Sequence, residues 1–80
     1  LNTTVADAQA SIAAVRAEFE GKPGITIDTL DGMTVEAQDW WFNLRPSNTE
    51  PLLRLNVEAA DPQQMEQVRD DVLAMIQAVG

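Results

Sequence analysis

Trp40, Phe42 and Leu44 alternate with Trp41, Asn43 and Arg45, and further on Leu53, Leu55 and Val57 alternate with Leu52, Arg54 and Asn56. A period of two marks a strand with one apolar face. If the two segments pair antiparallel with Leu44 opposite Leu53, Phe42 meets Leu55 and Trp40 meets Val57, so every apolar side chain falls on one side of the sheet. The other side carries Trp41, Asn43 and Arg45 beside Leu52, Arg54 and Asn56. A sheet of this kind must bury its apolar face against another layer.

The remaining sequence supplies that layer. Val5, Ala8, Ile12, Val15 and Phe19 recur at helical spacing, with Thr4 and Asp7 reading as a capping pair and Gly21 and Pro23-Gly24 as the stop. A second helix is signalled by Asp61 as N-cap, Pro62 at the first helical position and Gln64 reaching back, followed by the stripe Met65, Val68, Val72, Ile76 and Val79. Between the helices, Ile25 and Ile27 alternate with polar residues, Asp31-Gly32 marks a tight turn, and Met33, Val35 and Ala37 alternate with Thr34, Glu36 and Gln38. The expected fold class is α+β: a two-layer sandwich with an antiparallel four-stranded sheet and two helices packed on one face, TATA-box-binding-protein-like. Trp40 belongs to the core, and Met33, Met65 and Met75 fill it or its margin. Trp41, on the opposite face, is read as packing against a neighbouring domain or loop rather than a ligand.

Eighty residues allow one core and no second domain. Thirteen Asp and Glu against five Lys and Arg leave a net charge of -8, which opposes partners bound through phosphate backbones or anionic lipid, so neither nucleic acid nor a membrane surface is expected. The acidic residues are spread along the chain and read as a solvated surface. Cysteine and histidine are both absent, which excludes disulfides, thiolate nucleophiles, imidazole bases and Cys/His metal sites together. No apolar run approaches the ~18 residues of a membrane span and no signal peptide is evident, so a cytoplasmic setting is the default expectation. The chain starts at Leu1 rather than Met and is expected to be a fragment of something longer.

In the register above, Arg45 faces Leu52 and the connection is Pro46-Ser47-Asn48-Thr49-Glu50-Pro51, longer than an antiparallel pair needs. It gathers a guanidinium (Arg45), two hydroxyls (Ser47, Thr49), an amide (Asn48) and several backbone N–H groups, with Pro46 and Pro51 fixing φ at both ends. A phosphate asks for such an array: a planar fork for two oxygens and short neutral donors for the rest. Pro, Ser, Asn and Thr also form ordinary turns, so composition leaves a phosphate cradle and a plain turn both open.

The segment Arg45-Pro46-Ser47-Asn48-Thr49-Glu50-Pro51, entered by Trp41-Phe42-Asn43-Leu44 and followed by Leu53-Arg54-Leu55-Asn56-Val57-Glu58-Ala59, resembles the carboxy-terminal domain of the α-D-phosphohexomutases, the phosphomannomutase and phosphoglucomutase family, and bacterial members most of all. The resemblance covers the whole chain, residues 1–80. It implies one domain of a larger enzyme of the isomerase class that interconverts hexose 6-phosphate and hexose 1-phosphate, using a phosphoserine and Mg²⁺ that lie in other domains. It also implies that the loop clamps the phosphate that is not being transferred, through Arg45, Ser47, Asn48 and Thr49. Many members carry Gly at the position of Asn48, and Asn tolerates the same left-handed backbone. Glu50 is read as structural, a partner for Arg54, and both are placed behind the phosphate contacts rather than among them. No residue here is assigned a catalytic role and no metal a site, so the isolated domain is expected to be inactive. The implied partners are a hexose phosphate of mannose or glucose and the other domains of the same chain. The alternative from a different class is a small acidic α+β protein-interaction module in which the loop is only a turn.

Overall fold

The computed structural model describes residues 1–79. Its elements are β1 (Asn2–Thr4), α1 (Ala8–Phe19), β2 (Thr26–Asp28), β3 (Met33–Glu36), β4 (Trp40–Pro46), β5 (Leu52–Ala59) and α2 (Pro62–Val79). The strands form one sheet in the order β1-β5-β4-β3-β2, and every neighbouring pair is antiparallel. The α+β reading therefore holds, with one correction: the sheet has five strands, not four. The added strand is β1, whose three residues carry no apolar alternation. It is held by backbone pairing of Asn2 with Arg54 and Thr4 with Leu52, and by Leu1 N donating to Leu55 O at 3.1 Å.

Thr4 is thus a strand residue, and helix α1 begins later than its stripe suggests. Its N-cap is Asp7, with an extended backbone and a side chain that accepts from Ala10 N at 3.1 Å. Val5 is buried ahead of the helix and donates its N–H to Pro51 O at 2.9 Å, so its apolar side chain counts toward the core without being helical. For α2 the signals hold: Asp61 Oδ1 accepts from Gln64 N at 2.8 Å and Pro62 opens the helix. In this arrangement the missing proline N–H is one of the four the helix leaves unpaired anyway.

Both helices lie on the face of the sheet that carries Met33, Val35, Phe42, Leu44, Leu53 and Leu55, all buried, and they contribute Val15, Val72 and Ile76 to the same core. Phe19 meets Trp40 and Phe42 edge-on, with ring centroids 5.8 and 5.4 Å away, and Trp40 stacks on Phe42 at 6.0 Å. Trp40 is packed against the core and half-buried. Met33 is fully inside, whereas Met65 and Met75 are half-buried and Val79 is exposed.

The pairing of β4 with β5 differs from the expected register by two residues. Leu44 lies opposite Leu55, Phe42 opposite Val57, and Arg45 opposite Arg54. A slip of two leaves every side chain on its face, because side chains alternate with period two, so the apolar pattern is satisfied equally well by both registers. The observed register extends the ladder to Pro46 opposite Leu53 and shortens the connection to the five residues Ser47–Pro51.

Candidate functional site

With both helices on one face, the other face of the sheet is open, and its side chains form rows across the strands. At the loop end stand Asn2, Arg54 and Arg45, with Gly32 beyond them just ahead of β3. In the next row Asn56, Asn43 and Thr34 are neighbours, and further along come Glu58, Trp41 and Glu36. Cationic side chains therefore occupy the end of the sheet next to the β4–β5 connection, and the acidic pair flanks Trp41 two rows away. Trp41 is half-buried and donates from Nε1 to Glu58 Oε2 at 3.0 Å.

The connection folds on its own first hydroxyl. Ser47 Oγ accepts from Thr49 N and Glu50 N, both at 3.3 Å, while Ser47 N donates to Leu52 O at 3.0 Å and Leu52 N to Glu50 O at 2.8 Å. A serine at the mouth of a turn does this because its hydroxyl reaches N–H groups two and three residues on. The result is a bowl of about 310 Å³ lined by Arg45, Pro46, Ser47, Asn48, Thr49 and Arg54. Backbone N–H groups that point at one short acceptor can turn to a stronger anionic one at little conformational change.

Arg45 is oriented from outside the loop. Its Nη2 lies 3.3 Å from Asp31 Oδ1, and Asp31 sits in the turn joining β2 to β3. Asn43 Nδ2 holds that turn by donating to Asp31 O and to Thr34 Oγ1, both at 3.0 Å. Gly32 completes the support: its φ is +68°, and a Cβ there would stand 2.5 Å from Leu44 O and 2.7 Å from Arg45 Cγ. The stem of Arg45 therefore runs through space that only a glycine leaves empty. Both members of the ion pair are largely exposed, so the pair aims the guanidinium and adds at most about 1 kcal/mol to stability.

Of the residues singled out in the sequence, Arg45, Ser47, Asn48 and Thr49 meet around the bowl, and so does Arg54. Arg54 is directly opposite Arg45 rather than diagonal to it, a consequence of the shifted register. Glu50 contributes its backbone N–H to Ser47 and its carbonyl to Leu52, and it forms no ion pair with Arg54 among the described residues. Asp31, Asn43 and Gly32 were not singled out for the site. The trace they leave is the Asp31-Gly32 turn signal, which gives the turn and not its contact with Arg45, fourteen positions further on. No group of three or more His, Cys, Asp or Glu among the described residues is placed to hold a metal ion.

Comparison with known proteins adds an independent line. Residues 1–75 match the model of the phosphoglucomutase/phosphomannomutase C-terminal domain. The chain is 43% identical over 77 residues to a phosphomannomutase of Escherichia coli, covering 95% of this chain and 17% of that protein. It is 50% identical over 58 residues to a protein of Xanthomonas campestris described as phosphohexose mutases, which is 72% of this chain and 13% of that one. A crystal structure of a phosphoglucomutase/phosphomannomutase family protein from Burkholderia thailandensis superposes with a TM-score of 0.66 at 28% identity, over 99% of this chain and 18% of that one. The chain belongs to the phosphoglucomutase/phosphomannomutase family, matching its C-terminal domain. It spans less than a fifth of the length of these relatives.

Proposed function

We propose that this chain is the phosphate-holding domain of a phosphomannomutase-type enzyme, and that the bowl at the end of the sheet binds the phosphate of a hexose phosphate. The observation that carries this reading is the convergence of Arg45, Ser47, Asn48 and Thr49 on one concavity, in a chain whose charge otherwise repels anions. Arg45 supplies a planar fork, Ser47 and Thr49 supply hydroxyls, and the turn supplies the N–H groups of Thr49 and Glu50 that Ser47 Oγ gathers. Each hydrogen bond to a charged group is worth roughly 1.5 to 3 kcal/mol net. Several of them offset the field of the acidic surface.

The chemical step belongs elsewhere in the parent enzyme. Among the described residues no three His, Cys, Asp or Glu side chains gather to hold the Mg²⁺ that the family resemblance implies, beside Ser11, buried in α1, or beside Ser47, engaged with the turn. Holding a remote phosphate instead lets binding energy orient the sugar and close the domain over the reacting centre. A cradle of a guanidinium, hydroxyls and backbone N–H groups reads the phosphate and not the sugar, which suits a substrate that presents either of two phosphates.

Arg45→Lys tests the role of the fork. It keeps the charge and loses the two-bond contact, so the affinity for mannose 6-phosphate is expected to fall by roughly tenfold, about 1.4 kcal/mol, as measured by titration of the folded chain. An unchanged Kd removes Arg45 from the phosphate site, and an absence of binding by the unaltered chain returns the domain to an interaction module with a plain turn.

A further inference from the structure

Asp31-Gly32 is the sole point in the chain where an aspartate or asparagine precedes glycine. The pair lies between β2 and β3, outside both strands. The Asp31 side chain is 74% exposed, and its ion pair with Arg45 is of the weak, solvated kind that opens readily. The N–H of Gly32, just ahead of the ladder that starts at Met33, finds no acceptor among the described residues. These are the conditions under which an aspartyl residue reacts with its own backbone: a carboxyl free to fold back, an amide nitrogen not locked in a ladder, and no Cβ on the following residue to obstruct the approach. The other aspartates each lack one of them. Proline follows Asp61 and has no N–H. Asp70 and Asp71 precede amides inside α2, which are bound along the helix. Asp7, Asp28 and Asp39 precede Ala8, Thr29 and Trp40, all with a Cβ, and the carboxylates of Asp7 and Asp28 already accept from Ala10 N and Leu30 N at 3.1 and 2.7 Å.

We propose that Asp31 is a site of spontaneous isomerisation to isoaspartate, and that this modification disarms the bowl. The nitrogen of Gly32 attacks Cγ of Asp31, one carboxyl oxygen leaves as water, and a succinimide ring closes. Water then adds to either ring carbonyl. Opening of the new Cγ–N bond restores aspartate, whereas opening of the original peptide bond leaves the chain running through Cγ and the old carbonyl carbon as a free carboxylate. One water leaves and one returns, so the mass is unchanged. What changes is the part each carbon plays. The Asp31 carboxyl that faces Arg45 Nη2 at 3.3 Å becomes a neutral peptide carbonyl, while the carbonyl that accepts from Asn43 Nδ2 at 3.0 Å becomes the carboxylate. The counter-charge passes from Arg45 to Asn43, and the main chain lengthens by one methylene. It does so beside Gly32, where a Cβ would already stand 2.5 Å from Leu44 O and 2.7 Å from Arg45 Cγ. Arg45 thereby loses its aim. The loss of function rests on the phosphate-holding reading above; the isomerisation does not.

The test is to hold the chain for several weeks at neutral pH and body temperature. Isoaspartate is then quantified by enzymatic methylation of the isoaspartyl carboxyl group. It is located by digestion with Asp-N protease, which cuts before aspartate and not before isoaspartate. The expected result is methylation at Asp31 and lost cleavage between Leu30 and Asp31, with cleavage before the other aspartates retained. The modified fraction is expected to bind mannose 6-phosphate roughly tenfold more weakly than the fresh chain. Asp31→Glu keeps the charge and cannot close the succinimide, so it is expected to stay unmodified and to keep, after incubation, the affinity it had at the outset. An equal decline in Asp31→Glu, or isoaspartate absent from Asp31 or spread evenly over the aspartates, overturns the proposal. Isoaspartate at Asp31 with unchanged affinity overturns its effect on the bowl. If the fresh chain does not bind the sugar phosphate, the phosphate-holding reading and the disarming fall together, while the isoaspartate assay still decides the site.

Discussion

Gly32 has no side chain, yet it decides where Arg45 can lie. A methyl group at that position would sit 2.5 Å from the carbonyl oxygen of Leu44, which belongs to the β3–β4 ladder and cannot move cheaply, and 2.7 Å from Arg45 Cγ. The residue's φ of +68° adds a backbone penalty of roughly 1–2 kcal/mol for any L side chain. Gly32→Ala is accordingly expected to lower the unfolding free energy by about 2 kcal/mol or more. It should also weaken phosphate binding under conditions where the variant is folded, because the arginine stem is displaced. Denaturant titration and ligand titration of the same sample check the two halves, and an unchanged Kd in a folded variant would show that the guanidinium reaches its position without the glycine. Asn43 and Asp31 act on the same guanidinium through the turn they hold. Residue types in the loop were legible in the sequence because a guanidinium, two hydroxyls and an amide between prolines are visible as letters. The support of Arg45 was not, because it arrives from a turn on another strand.

At the level of elements, periodicity set the faces and left the register open. Leu55 and Asn56 are adjacent on β5, the first buried at 2% exposure under the helices and the second on the open face. Leu55→Ala is expected to destabilise the chain by about 2–5 kcal/mol through lost burial and a residual cavity. Asn56→Ala is expected to stay within about 0.5 kcal/mol, as surface changes without special contacts do. Chemical denaturation of both variants decides it, and equal losses would mean that the faces are exchanged. The two-residue slip between β4 and β5 lies beyond such patterns, since either register buries the same leucines. It is set by the ladder running on to Pro46 and by a turn that Ser47 closes with two hydrogen bonds. Strand β1 was hidden for a different reason: Asn2-Thr3-Thr4 has no apolar rhythm and owes its place to backbone pairing at an edge. Helix α2 was readable almost to the residue because Asp61 and Pro62 mark its start chemically. Helix α1 was misread by one turn because Val5 continues its apolar stripe from outside the helix.

Across the whole molecule, two helices on one face leave the other free, and the end of that free face gathers two of the five cationic side chains of a chain with net charge -8. On the proposed reading, a localised cationic bowl on an acidic domain would admit a small anion and discourage a polyanion. The affinity of the chain alone should be modest, with a Kd near ~1 mM, about -4 kcal/mol, because one phosphate site without sugar-contacting walls must still meet the cost of association. Residue-resolved amide shifts during an NMR titration with mannose 6-phosphate test the central claim most directly. The account predicts saturable shifts concentrated from Arg45 to Glu50 and at Arg54, with α1 and α2 unmoved. Shifts spread over the helices, or none with ligand at tens of millimolar, well above that Kd, would contradict it.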